Sequence, residues 1–176
     1  DPATAVRLVA ESAATVLCVV PTTLQWMLDE PAADAAAFAS VRKIVYGGAP
    51  MPADVLGRAE AVIGCEFAQI YGLTETGNTA VCLPPEDHRR GGARLRSVGR
   101  PYPGFAVQVI GADGRPLPAG EVGEICLRTP ARMLGYFKNP AATEVTVVDG
   151  WIHTGDAGHL DADGYLYLGD RIKDMI

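Results

Sequence analysis

A regular alternation of helical segments and short apolar runs in the first 70 residues constrains the fold more than any other feature. Apolar residues recur at helical spacing in segments that begin at Asp1, Pro21 and Pro52. Short apolar runs typical of buried strands lie between and after these segments: Thr15–Val20, Lys43–Tyr46 and Glu66–Ile70. Because crossover helices join parallel strands in this order, the pattern predicts an α/β fold with a layered, mostly parallel subdomain.

Residues at the ends of the helical segments support this interpretation. Asp1 followed by Pro2 is typical of an N-cap and a first helical position. Pro31 follows the second segment, and Gly64 follows the third, where glycine commonly ends a helix.

The pattern changes near Pro84. Residues Pro84–Arg96 are polar and contain glycines, which predicts a connector. Beyond it, Asp-Gly turn dipeptides separate short apolar segments. The predicted strands are Phe105–Ile110, Val122–Leu127, Trp151–Thr154 and Tyr165–Leu168. Asn139 and Pro140 predict the start of one short helix, and the rest of this half is typical of a small distorted antiparallel β-barrel.

Composition argues against several classes of function. A net charge of −6, without a long Lys/Arg run, gives no general attraction to nucleic acid. The apolar runs are too short for a transmembrane segment, and the start of the sequence does not resemble a signal peptide. The four cysteines form no CxxC pair, so we expect reduced, buried side chains in a cytoplasmic protein. They are Cys18, Cys65, Cys82 and Cys126.

A polar cluster follows the third apolar run, in the stretch Gln69–Gly77. Gly72 interrupts the run, and a tyrosine, two threonines and a carboxylate lie around it. Since ligands of α/β proteins bind outside the carboxyl ends of the strands, these groups could hold a base, a phosphate and a metal ion. Taken alone, the stretch has an alternative interpretation as a glycine turn with an exposed Thr-Glu-Thr cap.

Other segments allow two interpretations when each is taken alone. Gly47–Pro50 is either a tight strand-to-helix turn or a backbone segment that approaches a flat ligand. In Thr154–Asp156 the aspartate either accepts ribose hydroxyls or caps its own turn. The histidines have no HExxH or similar spacing, so the sequence predicts no zinc site. They are His88, His153 and His159.

Four segments occur in an order that resembles the adenylate-forming superfamily. They read Gly-Gly-Ala-Pro, Tyr-Gly-Leu-Thr-Glu-Thr, Trp-Ile-His-Thr-Gly-Asp and Asp-Arg-Ile-Lys-Asp-Met-Ile. Gly123-Glu124-Ile125 and Gly135-Tyr136 match a further family segment. The superfamily comprises acyl- and aryl-CoA synthetases, nonribosomal peptide adenylation domains and beetle luciferases. The chain most resembles fatty-acyl-CoA synthetases. Peptide adenylation domains usually have Arg before Thr-Gly-Asp and Gly-Arg-x-Asp in the last motif, whereas this chain has His153 and Asp170-Arg171-Ile172-Lys173-Asp174 there.

The resemblance implies an internal fragment of a large N-terminal domain. Residues 1–95 would form the C-terminal part of an α/β subdomain with a connector, and residues 96–170 the β-barrel subdomain. Residues 171–176 would be a hinge stub before a C-terminal domain. A phosphate-binding loop upstream and a catalytic lysine downstream would be missing, so we expect the fragment alone to be inactive.

The resemblance also implies a nucleotide site. Its residues would be Gly48, Ala49, Pro50, Tyr71, Gly72, Asp156 and Arg171. The first three would lie along the adenine, the tyrosine would stack on it, and Gly72 would allow close approach. Asp156 would accept hydrogen bonds from the ribose hydroxyls, and Arg171 would contact the ribose or a phosphate.

Two further positions would take part in catalysis, and one in domain motion. Thr74 would hydrogen-bond the α-phosphate or the substrate carboxylate, and Glu75 would be a ligand of Mg²⁺, which prefers oxygen donors. Lys173 matches the hinge position, where backbone rotation would move the C-terminal domain between half-reactions.

The implied reaction is that of an AMP-forming acid–thiol ligase. ATP would activate a carboxylic acid, with a fatty acid favoured, as an acyl-adenylate, and CoA would then accept the acyl group. ATP/AMP, Mg²⁺ and CoA are therefore the expected cofactors. Transfer to a carrier protein, luciferase-like oxygenation and a noncatalytic relic module are the alternatives. The last is disfavoured because Glu75, Asp156 and Arg171 are all present.

Overall fold

The computed structural model describes residues 1–171, with side chains through Gly169. The backbone divides into two compact units, and the second begins at Ile70. This division rests on the compactness of the backbone. The subdomain boundary near residue 95, which the resemblance implies, rests on a different criterion and stays a prediction.

The first unit contains helices that alternate with strands, as the sequence predicts. Its elements are α1 (Pro2–Ser12), β1 (Val16–Val19), α2 (Pro21–Leu28), β2 (Lys43–Gly47), α3 (Ala53–Ile63) and β3 (Glu66–Tyr71), which ends in the second unit. Strands β1 and β2 are parallel, and the strand order is β1-β2-β3. Asp1 caps α1 by accepting a hydrogen bond from Thr4 N at 3.3 Å. Gly64 ends α3 in the left-handed conformation.

Apolar side chains of these elements form the core of the first unit. Helix α1 packs on α2, and α2 packs on α3. Leu24, Ile44 and Ala59 are completely buried, as is Phe38 in the segment that connects α2 to β2. Arg58 further joins α3 to the end of α2, since it donates to Leu28 O at 3.0 Å.

The second unit is built mainly from antiparallel strands. Its elements are β4 (Val81–Leu83), α4 (Pro85–Arg90), β5 (Arg100–Pro101), β6 (Ala106–Ile110), β7 (Gly123–Arg128), α5 (Pro140–Thr146), β8 (Val147–Val148), β9 (Trp151–Leu160) and β10 (Leu166–Arg171). Strand β4 pairs with β5. The other strands make a curled half-barrel sheet in the order β10-β9-β7-β6, with β8 beside β9. The predicted class, an α/β subdomain followed by a small distorted β-barrel, is confirmed, and the second part is a curled half-barrel.

The segment predicted as a connector is more ordered than its composition suggests. It contains α4 and a 3₁₀ helix over Gly92–Arg96. Tyr165 explains the order, because its hydroxyl donates to the buried Asp87 carboxylate at 2.9 Å. The guanidinium groups of Arg94 and Arg100 lie 4.6 and 5.0 Å from the centre of the same ring. These long-range contacts have no signature in the local sequence.

The cysteines differ from the prediction in burial. All four are free thiols, as expected, and Cys126 is buried. Cys18 is exposed and Cys82 is partly exposed, because strand residues alternate between the two faces of a sheet. Cys65 is partly exposed in the short connection between α3 and β3. None of the described helices has the length and apolar character that crossing a bilayer requires.

Candidate active site

The Thr-Glu-Thr segment after β3 forms one turn of 3₁₀ helix, Thr74–Thr76. The buried Thr76 hydroxyl holds this turn, since it donates to Leu73 O at 2.8 Å and accepts from Leu73 N at 3.0 Å. This arrangement leaves Thr74 exposed and Glu75 partly exposed. A Cβ atom on Gly72 would overlap the carbonyl oxygen of Asn78. The turn itself therefore requires glycine here, whether or not a ligand approaches.

Tyr71 and Asp156 meet although 85 positions separate them in the sequence. The Tyr71 hydroxyl donates a hydrogen bond of 2.7 Å to Asp156 Oδ2. The Thr154 hydroxyl fixes the turn before the aspartate, because it donates to Ile125 O at 2.7 Å and accepts from Asp156 N at 3.1 Å. The structure thus joins the residue expected to stack on adenine to the residue expected to bind ribose.

Tyr136, a residue to which no motif assigns a role, holds Glu75 in place. The Tyr136 hydroxyl donates to Glu75 Oε1 at 2.6 Å, and Met133 N donates to the Glu75 carbonyl at 2.8 Å. The Tyr136 backbone N–H in turn donates to the Thr143 hydroxyl oxygen at 2.9 Å. The hydrogen bond to the Glu75 carboxylate raises the pKa of the Tyr136 phenol, because the phenolate form could not donate. Only the match of Gly135-Tyr136 to a family segment pointed to this residue.

A cavity of about 320 Å³ lies beside these groups, within the second unit. Glu75 and Tyr136 line it together with Thr154, Glu124 and His153. The cavity therefore brings the Thr-Glu-Thr turn and the His-Thr-Gly-Asp segment to one concave site.

Glu124 connects two strands at the wall of this cavity. Its Oε1 accepts from Gly155 N at 3.2 Å, and its Oε2 lies 3.0 Å from His153 Nδ1. Cys126 lies two residues further along β7, directly opposite His153 on β9. Burial and the nearby Glu124 carboxylate raise the pKa of the Cys126 thiol to about 12, so the side chain is a neutral thiol at physiological pH.

The remaining predicted residues are not brought into this site by the described contacts. Gly48, Ala49 and Pro50 are exposed in the first unit, directly after β2, and Gly48 has a positive φ of 79°. The Arg171 backbone lies in register with Asp156 between β10 and β9. Lys173 lies outside the described residues. The roles expected for these positions stay predictions.

Comparisons with known proteins agree with the architecture. Residues 1–137 match a family model described as AMP-binding enzyme. A fatty acid–[acyl-carrier-protein] ligase, ScoC of Streptomyces coeruleorubidus, is 56% identical over 98% of this chain and 33% of its own length. A medium/long-chain-fatty-acid–CoA ligase, FadD8 of Mycobacterium tuberculosis, is 38% identical over all of this chain and 30% of its own.

A solved structure has the same fold. O-succinylbenzoate coenzyme A synthetase (MenE) from Bacillus subtilis, in complex with ATP and magnesium ion, superposes with a TM-score of 0.86 and 32% identity. The match covers 100% of this chain and 35% of that one. The chain thus spans about a third of the length of the curated relatives that it matches.

Proposed function

Because the chain belongs to the AMP-binding enzyme family, we propose that it is part of an ATP-dependent ligase that joins a fatty acid to a thiol through an acyl-adenylate. The relatives that support this are acid–thiol ligases, among them the fatty acid ligases of Streptomyces and Mycobacterium and a feruloyl-CoA synthase.

The chemistry explains why such a ligase needs ATP. A carboxylate does not acylate thiols, because its leaving group would be oxide. The carboxylate oxygen attacks the α-phosphorus of ATP and forms the mixed anhydride bond of the acyl-adenylate. The bond from the α-phosphorus to the bridging oxygen of the β-phosphate breaks, and pyrophosphate leaves. The thiolate then attacks the acyl carbon and releases AMP. Both steps develop negative charge, so fixed hydrogen-bond donors and cations stabilise their transition states.

The contact between Tyr71 and Asp156 carries the proposal. In an ATP site, the tyrosine ring would stack on the adenine while its hydroxyl orients the aspartate toward the ribose hydroxyls. The 2.7 Å hydrogen bond between them supports this arrangement, since it fixes both groups before a nucleotide binds. A noncatalytic relic would not be expected to keep a charge-assisted hydrogen bond between two distant motifs.

Glu75 has the chemistry required of a magnesium ligand. Its carboxylate is partly exposed at the cavity, and of the described residues only Tyr136 hydrogen-bonds it, through Oε1. A hard cation prefers such an oxygen donor, and Mg²⁺ bound there would offset the phosphate charge that develops during adenylation. Tyr136 would orient the carboxylate, and the exposed Thr74 hydroxyl would donate to the α-phosphate or to the acid.

Two acceptor thiols are candidates. The motifs Asp170–Asp174 and His153–Asp156 resemble those of acyl-CoA synthetases and favour CoA. The 56% identity to a carrier-protein ligase favours the phosphopantetheine arm of a carrier protein. CoA and a carrier protein both present the thiol of a phosphopantetheine arm. The enzyme must therefore distinguish the two acceptors by contacts outside this arm.

A competition experiment tests the proposal and separates the acceptors. The full-length protein is incubated with ATP, Mg²⁺, a panel of fatty acids, and equimolar CoA and phosphopantetheinylated carrier protein. We expect fatty acid-dependent ATP–pyrophosphate exchange, and mass spectrometry then identifies the thioester. ATP–pyrophosphate exchange without a thioester on either acceptor would contradict the proposal of a thiol ligase. The absence of exchange with every acid in the panel would contradict the proposal of adenylation.

A further inference from the structure

Three side chains with metal-ligating atoms share one face of the curled sheet. Glu124 and Cys126 are two residues apart on β7, and Cys126 is paired across the strands with His153 on β9. Side chains at positions i and i+2, and those directly opposite on the neighbouring strand, point to the same face. The register shifts between Glu124 and Cys126, as at a β-bulge, which can redirect a side chain.

The ligating atoms are close enough for one ion. The Cys126 Sγ, a Glu124 carboxylate oxygen and a His153 ring nitrogen all lie within 4.8 Å of one another. Zinc bonds of about 2.0–2.3 Å in a tetrahedron place ligand atoms roughly 3.3–3.8 Å apart. Glu124 and His153 already approach to 3.0 Å, so small side-chain rotations suffice to admit an ion between them.

The adjoining cavity supplies access and a fourth coordination position. Glu124 and His153 line the cavity of about 320 Å³, and their side chains are 24% and 25% exposed. Cys126 is fully buried beside these two residues and does not line the cavity itself. A site with three protein ligands and one open position has the form of zinc sites that keep a water molecule.

We propose that Glu124, Cys126 and His153 bind a thiophilic divalent cation of the Zn²⁺ class, at a position distinct from the Mg²⁺ site proposed at Glu75. Thiolate and imidazole ligands select such ions over Mg²⁺, which prefers oxygen alone. On binding, the metal–sulfur bond replaces the thiol S–H bond, and the proton goes to solvent.

Occupation of this site has a consequence that rests on the proposed function. One Glu124 oxygen accepts from Gly155 N and so holds the turn that presents Asp156. A cation that draws this carboxylate toward Cys126 would displace the turn. We therefore expect Zn²⁺ to raise the KM for ATP, whereas metal binding itself does not depend on the ligase activity.

Cobalt(II) is the probe for the site, because its thiolate complexes absorb in the near ultraviolet. The reduced, chelator-treated full-length protein is titrated with CoCl₂, and ZnCl₂ is then added. We expect one equivalent of Co²⁺ to produce a sulfur-to-cobalt band, Zn²⁺ to abolish it, and millimolar Mg²⁺ to leave it unchanged. Cys126→Ser should remove the band, and Glu124→Gln and His153→Gln should each weaken Co²⁺ binding by at least about tenfold.

Cys18→Ser and Cys65→Ser are the matched controls, since these thiols are more accessible and lie on other strands or turns. Both should retain the band. The proposal is wrong if the wild type shows no band, if the band survives Cys126→Ser, or if it disappears in Cys18→Ser. Glu124→Gln and His153→Gln keep the buried thiol, so unchanged Co²⁺ affinity in both would overturn the proposal even if Cys126→Ser did not fold.

Discussion

At the scale of single residues, Tyr71 offers the sharpest test of the proposed nucleotide site. Tyr71→Phe keeps the ring but removes the hydroxyl that donates to Asp156 at 2.7 Å. Losing a hydrogen bond to a charged group costs about 1.5 kcal/mol or more, so we expect the KM for ATP to rise about tenfold. The change in kcat should be smaller, because the contact exists before the reaction begins. Steady-state ATP–pyrophosphate exchange of the full-length enzyme gives both constants.

Tyr167→Phe is the control for this substitution. Its hydroxyl also donates to an aspartate of the second unit, Asp161, at 3.4 Å, but neither residue belongs to the motifs. Tyr167→Phe should therefore leave the KM for ATP unchanged. An equal rise in both variants would indicate a general loss of stability rather than a nucleotide contact.

We expect Glu75 to stabilise the negative charge of the adenylation transition state through the magnesium ion that it would bind. Glu75→Gln removes the proposed magnesium ligand but keeps an oxygen that can accept from Tyr136. We expect kcat for ATP–pyrophosphate exchange to fall by about a hundredfold or more, as when one preorganised electrostatic group is lost. The exposed Glu121→Gln should retain normal exchange over the same Mg²⁺ titration.

The alternative for Glu75 is a helix-turn cap. In that case Glu75→Gln would lower the free energy of unfolding by about 1 kcal/mol and leave kcat nearly intact. If Glu75→Gln folds and shows near-normal ATP–pyrophosphate exchange, the role of Glu75 is to stabilise the turn and not to bind magnesium.

At the scale of elements, local signals predicted what local contacts determine. Asp1 as N-cap, Gly64 as C-cap and Asn139 as N-cap of α5 all lie where the sequence placed them. Strand β9 is longer than the predicted Trp151–Thr154, because pairing with β7 and β10 extends it through a polar stretch. Such pairing depends on residues far away in the chain.

The same reason explains which parts of the site escaped prediction. The motifs made Tyr71, Glu75 and Asp156 candidate site residues, but nothing in their spacing indicates that Tyr71 hydrogen-bonds Asp156 or that Tyr136 hydrogen-bonds Glu75. The Glu124, Cys126 and His153 cluster is assembled from two strands with a register shift. A search for zinc motifs along one segment cannot find it.

The turn after β3 should depend on Gly72 for steric reasons. In Gly72→Ala the new Cβ would overlap the Asn78 carbonyl oxygen, which belongs to the backbone and cannot rotate away. We expect the free energy of unfolding to fall by about 1–3 kcal/mol. Urea denaturation followed by circular dichroism measures it.

Gly57→Ala gives the contrast in the same experiment. Gly57 lies within α3, and an added Cβ would meet no atom within 4 Å. Alanine should therefore raise the free energy of unfolding by about 0.5–1 kcal/mol through its helix propensity. If both alanine variants were equally stable, the overlap at Gly72 would not be real.

At the scale of the whole molecule, the described site would supply only one side of the proposed adenylation reaction. The second unit carries a ribose-binding candidate, a magnesium ligand candidate and the residues that orient both. The chain spans about a third of the length of ligases such as ScoC and FadD8. Adenylate-forming enzymes, which the chain resembles, also use a phosphate-binding loop and a catalytic lysine, and none of the motifs in these 176 residues corresponds to either.

We therefore expect the 176-residue chain alone to form no detectable acyl thioester, in contrast to the thioester formation that we propose for the full-length protein. The phosphate-binding loop and the catalytic lysine that the resemblance implies would act chiefly in the transition states, so a chain without them should lose turnover altogether rather than show a higher KM for ATP. Purified chain and full-length protein are assayed in parallel with ATP, Mg²⁺, fatty acids, CoA and carrier protein, and circular dichroism verifies that the chain is folded. Appreciable turnover by the folded chain would contradict the inference that catalysis requires groups outside it.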